Sequence, residues 1–366
     1  MALKRLSLIN FRNFSKVDLD FSKCTLLVGD NAQGKSNLLE SIYFLATTKS
    51  PRADCDIQLI KEDEGVCRVE GSISEDTEQL TMNDERLTRL EIGMQKKEGD
   101  GLGIEKRVKV NGIPRRSSDY IGNLVAIHFS PEDINLVTGP PALRRWHLDL
   151  TLAQVDKPYK NALNRYHSAL TSRNRILKKI KEGLAKVDEL DFWSREMVAS
   201  GALIGEKRQQ FFSYINAQPS LDFGQFRYLY HQNIISDDRM REYLAREVAA
   251  GVCLIGPHRD DFIFKMDGKD LAYFGSRGEQ RTAVLELKLA ELKYLCQGKD
   301  CSPLLLLDDV FSELDEVHRE YVISTINGSQ VILSAVEISQ VPKSFLENAQ
   351  IIQVKKGKII TPKSYA

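Results

Sequence analysis

The stretch Gly29-Asp30-Asn31-Ala32-Gln33-Gly34-Lys35-Ser36 decides how this chain begins to fold. It follows a short apolar run, Thr25 to Val28, and it leads into a segment whose apolar residues recur at helical spacing. The pattern G-x-x-x-x-G-K-[ST], placed between a strand and a helix, is that of a phosphate-binding P-loop, or Walker A motif. This placement favours a P-loop over an ordinary strand–turn–helix corner.

The chemistry of phosphate binding explains why these residue types occur in the loop. Gly29 and Gly34 are expected to let the backbone curl so that N–H groups point at a phosphate, and the helix N-terminus adds partial positive charge. Lys35 is expected to reach the β- and γ-phosphate oxygens, and the Ser36 hydroxyl to ligate Mg²⁺. The loop therefore predicts that the chain binds a nucleoside triphosphate.

Length and composition indicate a cytoplasmic protein with more than one lobe. At 366 residues the chain exceeds the size at which a single core stops growing. No apolar run approaches the roughly 20 residues that span a bilayer, so no membrane contact is expected. The six cysteines have neither the spacing of a zinc site nor that of a disulfide framework.

Residues 156 to about 217 carry the longest helical pattern in the chain. Apolar residues from Leu163 to Ile180 recur at three-, four- and seven-residue steps, and a second run follows Gly183. This periodicity predicts two antiparallel helices. At 20 to 30 residues each, such helices reach only about 30 to 45 Å, which is a short arm and not a long coiled coil.

A buried strand near the C-terminus is predicted to deliver the second half of the nucleotide site. Leu304 to Leu307 is purely apolar and is followed by Asp308 and Asp309, a Walker B pattern. In an open α/β sheet, ligands bind beyond the carboxyl ends of the strands. We expect Asp308 to hold Mg²⁺ near Ser36, and Asp309 to serve as general base for the attacking water.

Between the two motifs, the segment Phe274 to Thr282 places Ser276 at the start of a predicted helix. A helix N-terminus offers N–H donors and a positive dipole end to an anion. The alternative is a glycine-rich turn with an N-cap. Asp315 lies shortly after Walker B, and an ordinary helix cap is one explanation for it.

The order of these parts resembles the ATP-binding-cassette heads of the SMC family, and several blocks resemble the RecF family of bacterial recombination mediators. The blocks are Asn10-Phe11-Arg12-Asn13-Phe14, residues 29–37, Phe129-Ser130-Pro131-Glu132-Asp133 with Gly139-Pro140 and Arg144-Arg145, Gly256-Pro257-His258-Arg259-Asp260-Asp261, Gly278-Glu279-Gln280-Arg281-Thr282 and residues 307–315. The resemblance implies an α/β fold. We expect an ABC-type, SMC-like P-loop ATPase head whose mostly helical second lobe carries the short helix pair.

The resemblance also implies roles for particular residues. ATP would contact Arg12 and the loop from Gly29 to Asn37, and Lys35 and Asp309 would be catalytic. Ser36 and Asp308 would hold Mg²⁺. ATP would close a homodimer, because a signature segment would face the γ-phosphate held by another protomer and a D-loop aspartate would sit at the dimer seam. The signature residues are Ser276, Arg277, Gly278 and Gln280, and the D-loop residue is Asp315.

The chain departs from the SMC pattern at three places. Walker B ends in Asp308-Asp309 where the SMC family usually has Asp-Glu, so slow hydrolysis is expected. Ser130-Pro131-Glu132 occupies the position of the glutamine at the lobe junction. Ser334 lies in the segment where many transporter-type cassettes carry a switch histidine. His258 is better explained as a hydrogen-bonded structural residue than as a substitute.

Zero net charge, with 51 Lys and Arg against 51 Asp and Glu, argues against indiscriminate binding of polyanions. A local basic stripe is still sufficient for nonspecific contact with the DNA backbone. Solvated helix faces are the alternative explanation for each basic pair. The candidate DNA contacts are Arg115, Arg116, Arg144, Arg145, Lys178 and Lys179.

These expectations combine into one leading function and two alternatives. The leading function is a weak, DNA-stimulated ATPase of DNA repair and replication, which dimerises on single- or double-stranded DNA with ATP and is released by hydrolysis. The resemblance implies RecO and RecR as partners at single-strand gaps and stalled forks. The alternatives are a transporter ATPase subunit and a chromosome-tethering SMC-like protein, and the short arm argues against both. We expect an ATPase lobe of residues 1–130 and 302–366, and a second lobe of residues 131–301.

Overall fold

The computed structural model describes residues 2–74, 87–97, 103–219, 225–297, 302–312, 314–325 and 328–360. The chain divides into two compact units. The first comprises residues 1–132 and 295–366, and the second comprises residues 133–294. The lobe boundaries expected from the sequence stay a prediction.

The described residues form strands and helices in the following chain order. The strands are β1 (Ala2–Phe11), β2 (Phe14–Asp20), β3 (Cys24–Val28), β4 (Val66–Ser74), β5 (Leu87–Lys96), β6 (Ile104–Val110), β7 (Ile113–Arg115), β8 (Ala126–Phe129), β9 (Phe226–His231), β10 (Asp261–Met266), β11 (Lys269–Asp270), β12 (Leu304–Asp308), β13 (Val331–Ala335), β14 (Ala349–Lys355) and β15 (Lys358–Ile360). The helices are α1 (Lys35–Thr47), α2 (Ser117–Tyr120), α3 (Asn135–Thr138), α4 (Pro141–Ala153), α5 (Lys157–Lys181), α6 (Asp191–Asn216), α7 (Asp237–Ala250), α8 (Leu271–Phe274), α9 (Arg277–Leu295), α10 (Glu316–Thr325) and α11 (Lys343–Leu346).

A mostly parallel sheet in the first unit sets up the candidate site. Its strand order is β15-β14-β3-β13-β12-β8, and only β15 runs antiparallel to its neighbour. The residues of β12 and β13 are all buried, which is typical of apolar strands covered on both faces. Because β3 and β12 are separated only by β13, the segments that follow them emerge at one edge of the sheet.

The second sheet of this unit is entirely antiparallel, with the order β2-β1-β4-β5-β6-β7. Helix α1 contacts strands of both sheets. The turn between β6 and β7 confirms the hairpin predicted from Asn111-Gly112, since both residues have positive φ, 51° and 77°. Positive φ at both central residues is the requirement of a type I′ turn.

The second unit is mainly helical and also holds a small sheet of the order β11-β10-β9. Helices α5 and α6 have 25 and 26 residues and pack against each other, which confirms the predicted helix pair. Their facing sides bury Tyr166, Met197 and Phe211 in a core shared with β9 and β10. At 1.5 Å per residue, each helix is about 38 Å long. Within the described parts of both units, no helix has the length and apolar character needed to cross a membrane.

Candidate nucleotide-binding site

The two glycines of the loop between β3 and α1 serve different purposes. Gly34 immediately precedes α1 and has φ of 116°, a conformation that favours glycine. Gly29 is absent from the positive-φ residues of the described chain. A Cβ at Gly29 would collide with the carbonyl oxygen of Val354. The expectation that both glycines supply curvature is therefore correct for Gly34, whereas Gly29 permits close packing against β14.

Lys35 folds back over this loop. Its ammonium group donates to the carbonyl oxygens of Gly29 and Asp30 over 2.5 and 2.9 Å, and the residue is only 6% exposed. Burial lowers the pKa of Lys35, and the nearby carboxylates of Asp309, Asp308 and Asp30 act in the opposite direction. The loop thus holds a buried cation whose present partners are neutral backbone carbonyls.

The hydroxyl of Ser36 reaches the Walker B strand. Ser36 Oγ donates to Asp308 Oδ1 over 2.9 Å, and Ser334 Oγ donates to the same oxygen over 2.7 Å. One hydroxyl and one carboxylate fit Mg²⁺, which prefers oxygen ligands and usually keeps several waters. The described residues include no cluster of three acidic, histidine or cysteine side chains suited to a metal. Ser36 and Asp308 would supply two oxygen ligands to a metal held here.

Asp309 has an unusual backbone conformation and one unsatisfied carboxylate oxygen. Its φ is 51°, and one carboxylate oxygen, Oδ1, is buried without a hydrogen-bond partner among the described residues. Burial raises the pKa of Asp309, while Ser312 and Lys35 act to lower it. A positive φ, one unpaired carboxylate oxygen and a raised pKa are properties expected of a general base.

A hairpin turn supports the nucleotide loop from behind. In the turn between β14 and β15, the Lys356 amide donates to the Gln33 side-chain oxygen over 2.7 Å, and the Gly357 amide donates to the Gln33 carbonyl over 3.0 Å. Asn13 Nδ2 also donates to that carbonyl, over 3.2 Å. The sequence predicted the hairpin but not this contact, because the two segments lie far apart in the chain.

Arg12 forms an ion pair with Glu40 of α1, with N···O distances of 3.0 and 2.7 Å. It also donates to the Gln58 carbonyl. Glu40 is fully buried and accepts a third hydrogen bond from Ser50 Oγ. Sequence analysis missed Glu40 because a glutamate inside a helical pattern gives no signal of its own. Arg12 lies near the loop, but its charge is already paired.

A polar cleft of about 730 Å³ opens beside Arg12 and the nucleotide loop. It is lined by Arg12, Asn13, Asn37, Arg52, Gln58, Ile60, Lys61, Glu62 and Glu132. The Asn37 side chain lies at its wall, where it donates to Asn13 Oδ1 over 2.9 Å and accepts from Arg52 over 3.2 Å. The first turn of α1 therefore borders both the loop and the cleft.

Comparison with known proteins assigns the chain to a family. The family described as the RecF/RecN/SMC N-terminal domain matches residues 2–360. The DNA replication and repair protein RecF of Agathobacter rectalis is 31% identical over 98% of this chain and 99% of its own length. The chain belongs to the RecF family. A RecF of Bacillus cereus is 34% identical, with 98% of each chain covered.

Solved structures of RecF proteins agree with this assignment. One, described as RecF-ATP in the RecFOR pathway, superimposes with a TM-score of 0.86 at 30% identity, covering 98% of this chain and 97% of the other. Another, described as RecF-ATPrS, gives a TM-score of 0.84 with the same identity and coverage. The fold is thus that of a RecF-type, SMC-like ABC ATPase head, as the sequence predicted.

The signature segment of this RecF-family chain lies in the second unit, at the N-terminus of α9. Ser276, Arg277 and Gly278 are exposed. The Ser276 amide donates to Glu279 Oε2 over 2.7 Å, and Glu279 N donates to Ser276 Oγ over 3.3 Å, which is a capping box. The backbone donors of this tip are thus partly occupied by a carboxylate from the same helix.

Gln280 differs from the rest of the segment. It is 4% exposed, and its side-chain nitrogen donates to the carbonyls of Leu271 and Gly275 over 2.8 and 3.4 Å. The expected contact of Gln280 with a nucleotide in another protomer is therefore corrected. Because the side chain points into its own unit, Gln280 holds α8 against α9.

Asp315 lies at the N-terminus of α10 in the first unit. Its carboxylate accepts from the His318 amide over 2.9 Å and lies 2.7 Å from His318 Nδ1. The Asp315 side chain is 65% exposed. The structure therefore places it as a helix cap that is also accessible at the surface.

The six candidate DNA contacts separate into two groups. Arg115, Arg116, Lys178 and Lys179 are exposed. Arg144 is 7% exposed and forms an ion pair with Asp261 at N···O distances of 2.7 and 2.9 Å. Its assignment as a DNA contact is corrected, because its guanidinium is committed inside the second unit. Arg145 is half-buried and donates to the Asp260 carbonyl over 2.8 Å.

His258 is part of the same interior. Its Nδ1 lies 2.7 Å from the Tyr166 hydroxyl, and its Nε2 lies 3.2 Å from the Cys253 carbonyl oxygen. Burial lowers the pKa of His258 to about 4. The histidine is hydrogen-bonded on both ring nitrogens within the second unit, as its interpretation as a structural residue requires.

Proposed function

We propose that this RecF-family chain is an ATP-dependent DNA-binding protein of DNA replication and repair. ATP binding joins two copies on DNA, and slow hydrolysis separates them. The observation that carries this proposal is the hydrogen bond between Ser36 and Asp308, because it joins the nucleotide loop and the Walker B strand into one site. Of the three functions weighed from the sequence, this one is supported by the relatives' description as DNA replication and repair proteins.

In the proposed complex, the triphosphate lies on the loop from Gly29 to Asn37. Lys35 exchanges its two backbone carbonyls for phosphate oxygens, which are stronger partners for an ammonium group. The ribose and base occupy the polar cleft beside Asn37. Ser36 and Asp308 hold Mg²⁺, which would neutralise phosphate charge when bound.

Hydrolysis in this site is a transfer of the γ-phosphoryl group to water. The oxygen of water forms a bond to the γ-phosphorus, and the bond from phosphorus to the bridging oxygen breaks, leaving its electron pair on ADP. Asp309 accepts the proton that the water loses and later releases it to solvent. Its shorter side chain, compared with the glutamate usual in SMC heads, supports the expectation of slow turnover.

The proposed dimer uses the exposed tip of α9. Ser276, Arg277 and Gly278 would approach the γ-phosphate bound by the partner copy, since helix N-termini favour anions. Asp315 is accessible to lie at the same seam. The partner copy would in this way complete each site, and ATP would act as the link between the copies.

For DNA we propose a nonspecific backbone contact by Arg115, Arg116, Lys178 and Lys179. Arg145 contributes only if its half-buried side chain turns outward. The solved relatives described as part of the RecFOR pathway support RecO and RecR as partners of this chain. We place their joint action in the cytoplasm, at gaps and stalled forks, as part of the proposal. Contact with phosphates alone gives no sequence preference.

Molar mass in solution tests the central claim. We expect light scattering to show a monomer without nucleotide and a dimer with ATP and Mg²⁺, and no dimer for Lys35→Ala or Ser276→Arg. Ser213→Arg is the matched control, because Ser213 is an exposed helical serine of the same unit. A mass that does not respond to ATP would contradict the proposal.

DNA affinity provides a second test. We expect ATP to tighten binding of a nonspecific duplex, with an affinity that falls steeply between 50 and 200 mM salt. Replacing Lys178 and Lys179 by Glu should weaken binding to all sequences alike. Equal affinity with and without ATP would separate DNA binding from the nucleotide and contradict that part of the proposal.

A further inference from the structure

Ser334 is buried at the carboxyl end of β13, beside the two Walker B acids. Strands β12 and β13 are parallel neighbours, and their register pairs Asp308 with Ser334. Ser334 is 1% exposed. The register of the central sheet therefore brings a neutral hydroxyl to the point where the chain leaves β12 with two carboxylates.

The hydroxyl of Ser334 bridges the two acids. It donates to Asp308 Oδ1 over 2.7 Å and accepts from the backbone amide of Asp309 over 3.0 Å. A serine hydroxyl has one donor hydrogen and two acceptor lone pairs, so its only donor is directed at Asp308. The same Asp308 oxygen also accepts from Ser36. The second carboxylate oxygen is not needed for either contact.

The bridge matters most for Asp309. This residue has φ of 51°, which is costly for a residue other than glycine and persists only where neighbouring groups enforce it. Its Oδ1 has no hydrogen-bond partner among the described residues. Two serine contacts hold its backbone: Ser334 accepts from the amide, and Ser312 Oγ donates to the carbonyl over 2.7 Å. Ser334 therefore acts on the direction of the carboxylate through the backbone.

We propose that Ser334 is a positioning residue for hydrolysis, which fixes the general base Asp309 relative to the metal ligand Asp308. This inference rests on the proposed function. Ser334 does not touch the nucleotide in this scheme, because its hydroxyl is used by the two acids. It acts only on the step in which the Asp309 carboxylate takes the proton of the attacking water. It should be dispensable for the binding of ATP, which uses the loop after β3.

The test compares Ser334→Ala and Ser334→Thr with the wild-type chain. We expect Ser334→Ala to lower kcat for ATP hydrolysis about 10- to 100-fold, the range found when supporting hydrogen bonds are removed from a site. KM, the affinity for a fluorescent ATP analogue and the ATP-dependent dimer should stay within about threefold, because binding precedes the affected step. Ser334→Thr keeps the hydroxyl and should retain most of kcat.

Ser200→Ala is the matched control. Ser200 is also a buried serine, 2% exposed, whose hydroxyl donates to the Glu196 carbonyl in the second unit. It should leave kcat unchanged.

If Ser334→Ala hydrolyses ATP at the wild-type rate, or loses ATP binding together with kcat, the inference is wrong. A wild-type chain that does not bind ATP would instead overturn the proposed function. If Ser334→Ala does not fold, a low kcat in folded Ser334→Thr overturns the inference and a high kcat supports it.

Discussion

Arg12 and Glu40 are joined by two hydrogen bonds, from Nε over 3.0 Å and from Nη2 over 2.7 Å. The arginine is partly exposed, whereas the glutamate is completely buried in α1. A buried carboxylate whose charge partner lies at the surface depends on that partner. The pair therefore links the turn between β1 and β2 to the helix that follows the nucleotide loop.

Arg12→Met tests whether the buried Glu40 carboxylate depends on Arg12. It keeps most of the side-chain stem but removes the charge, so Glu40 is left buried with only Ser50 to balance it. We expect the first unit to lose about 3 kcal/mol of stability, as is typical when one member of a buried pair is removed. Hydrogen exchange across α1, compared with wild type, measures the loss as faster opening.

The double variant Arg12→Met with Glu40→Gln separates charge from packing. We expect it to recover at least about 1 kcal/mol of the loss, because no buried charge is then left without a partner. Strict additivity of the two single changes would show that the pair is not coupled.

The turn behind the nucleotide loop gives a second prediction, with a built-in control. Gly357 and Gly112 both have positive φ, 67° and 77°, in two-residue hairpin turns. A Cβ at Gly357 would collide with the Asn13 carbonyl, whereas one at Gly112 meets nothing within 4 Å. Gly112→Ala should cost only the backbone strain, about 1 kcal/mol.

Gly357→Ala should cost more, and it should also weaken ATP binding. The turn must shift away from Asn13, and this shift breaks the contacts of Lys356 and Gly357 with Gln33. We expect about a tenfold loss of ATP affinity by fluorescence titration, equivalent to about 1.4 kcal/mol. Similar ATP affinities for the two alanine variants would mean that the hairpin does not support the loop.

Much of the fold could be predicted because its signals are local. Leu304 to Leu307 forms a fully buried parallel strand, as an uninterrupted apolar run predicts. The Asn111-Gly112 hairpin and the α5–α6 pair follow from turn chemistry and helical periodicity. These features depend on residues that are close in the sequence, so they can be predicted from the sequence alone.

The supporting contacts of the site could not be predicted in this way. Ser334 meets Asp308 through the register of two strands, and Gln33 meets Lys356 across 323 positions. Arg144 shows the opposite error. Its pairing with Asp261, 117 positions away, turns an apparently accessible basic residue into an interior one. Charge in a sequence does not reveal which partner the fold supplies.

The capping box of α9 gives a third prediction, for the proposed dimer. Glu279 places its carboxylate on the Ser276 amide, and hydrogen bonds from the Ser276 amide and hydroxyl lower the pKa of Glu279. The negative charge opposes a phosphate at the same helix N-terminus. Glu279→Gln keeps an oxygen for the cap and removes the charge. It should tighten the ATP-dependent dimer about two- to fivefold.

Sedimentation at several protein concentrations, with ATP and in an Asp309→Asn background to prevent turnover, measures this dimer constant. Asp237→Asn is the control, since Asp237 is an exposed acid in the first turn of α7. It should leave the constant unchanged. A weaker dimer for Glu279→Gln would show that the carboxylate aids assembly.

The second unit should lose stability in mild acid through His258. Burial, reinforced by the charges of Arg259, Arg145 and His167, lowers its pKa to about 4. An unfolded chain takes up this proton near pH 6.5. Above that pH both states are neutral and the histidine contributes no pH dependence. As pH falls from 6.5 towards 4, the unfolded state binds the proton first, so stability falls by about 3 kcal/mol.

Tyr166 adds to the resistance of the folded state to this proton, whereas the Cys253 carbonyl acts to raise the pKa of His258. A neutral ring accepts from the Tyr166 hydroxyl at Nδ1 and donates to the Cys253 carbonyl at Nε2, whereas a protonated ring has no acceptor for the tyrosine. Calorimetry of wild type and His258→Gln between pH 7.5 and 4.5 tests this account. The Tm difference between the two chains should shift in favour of the variant as pH falls. If the two Tm curves stay parallel over this range, protonation of His258 does not oppose folding.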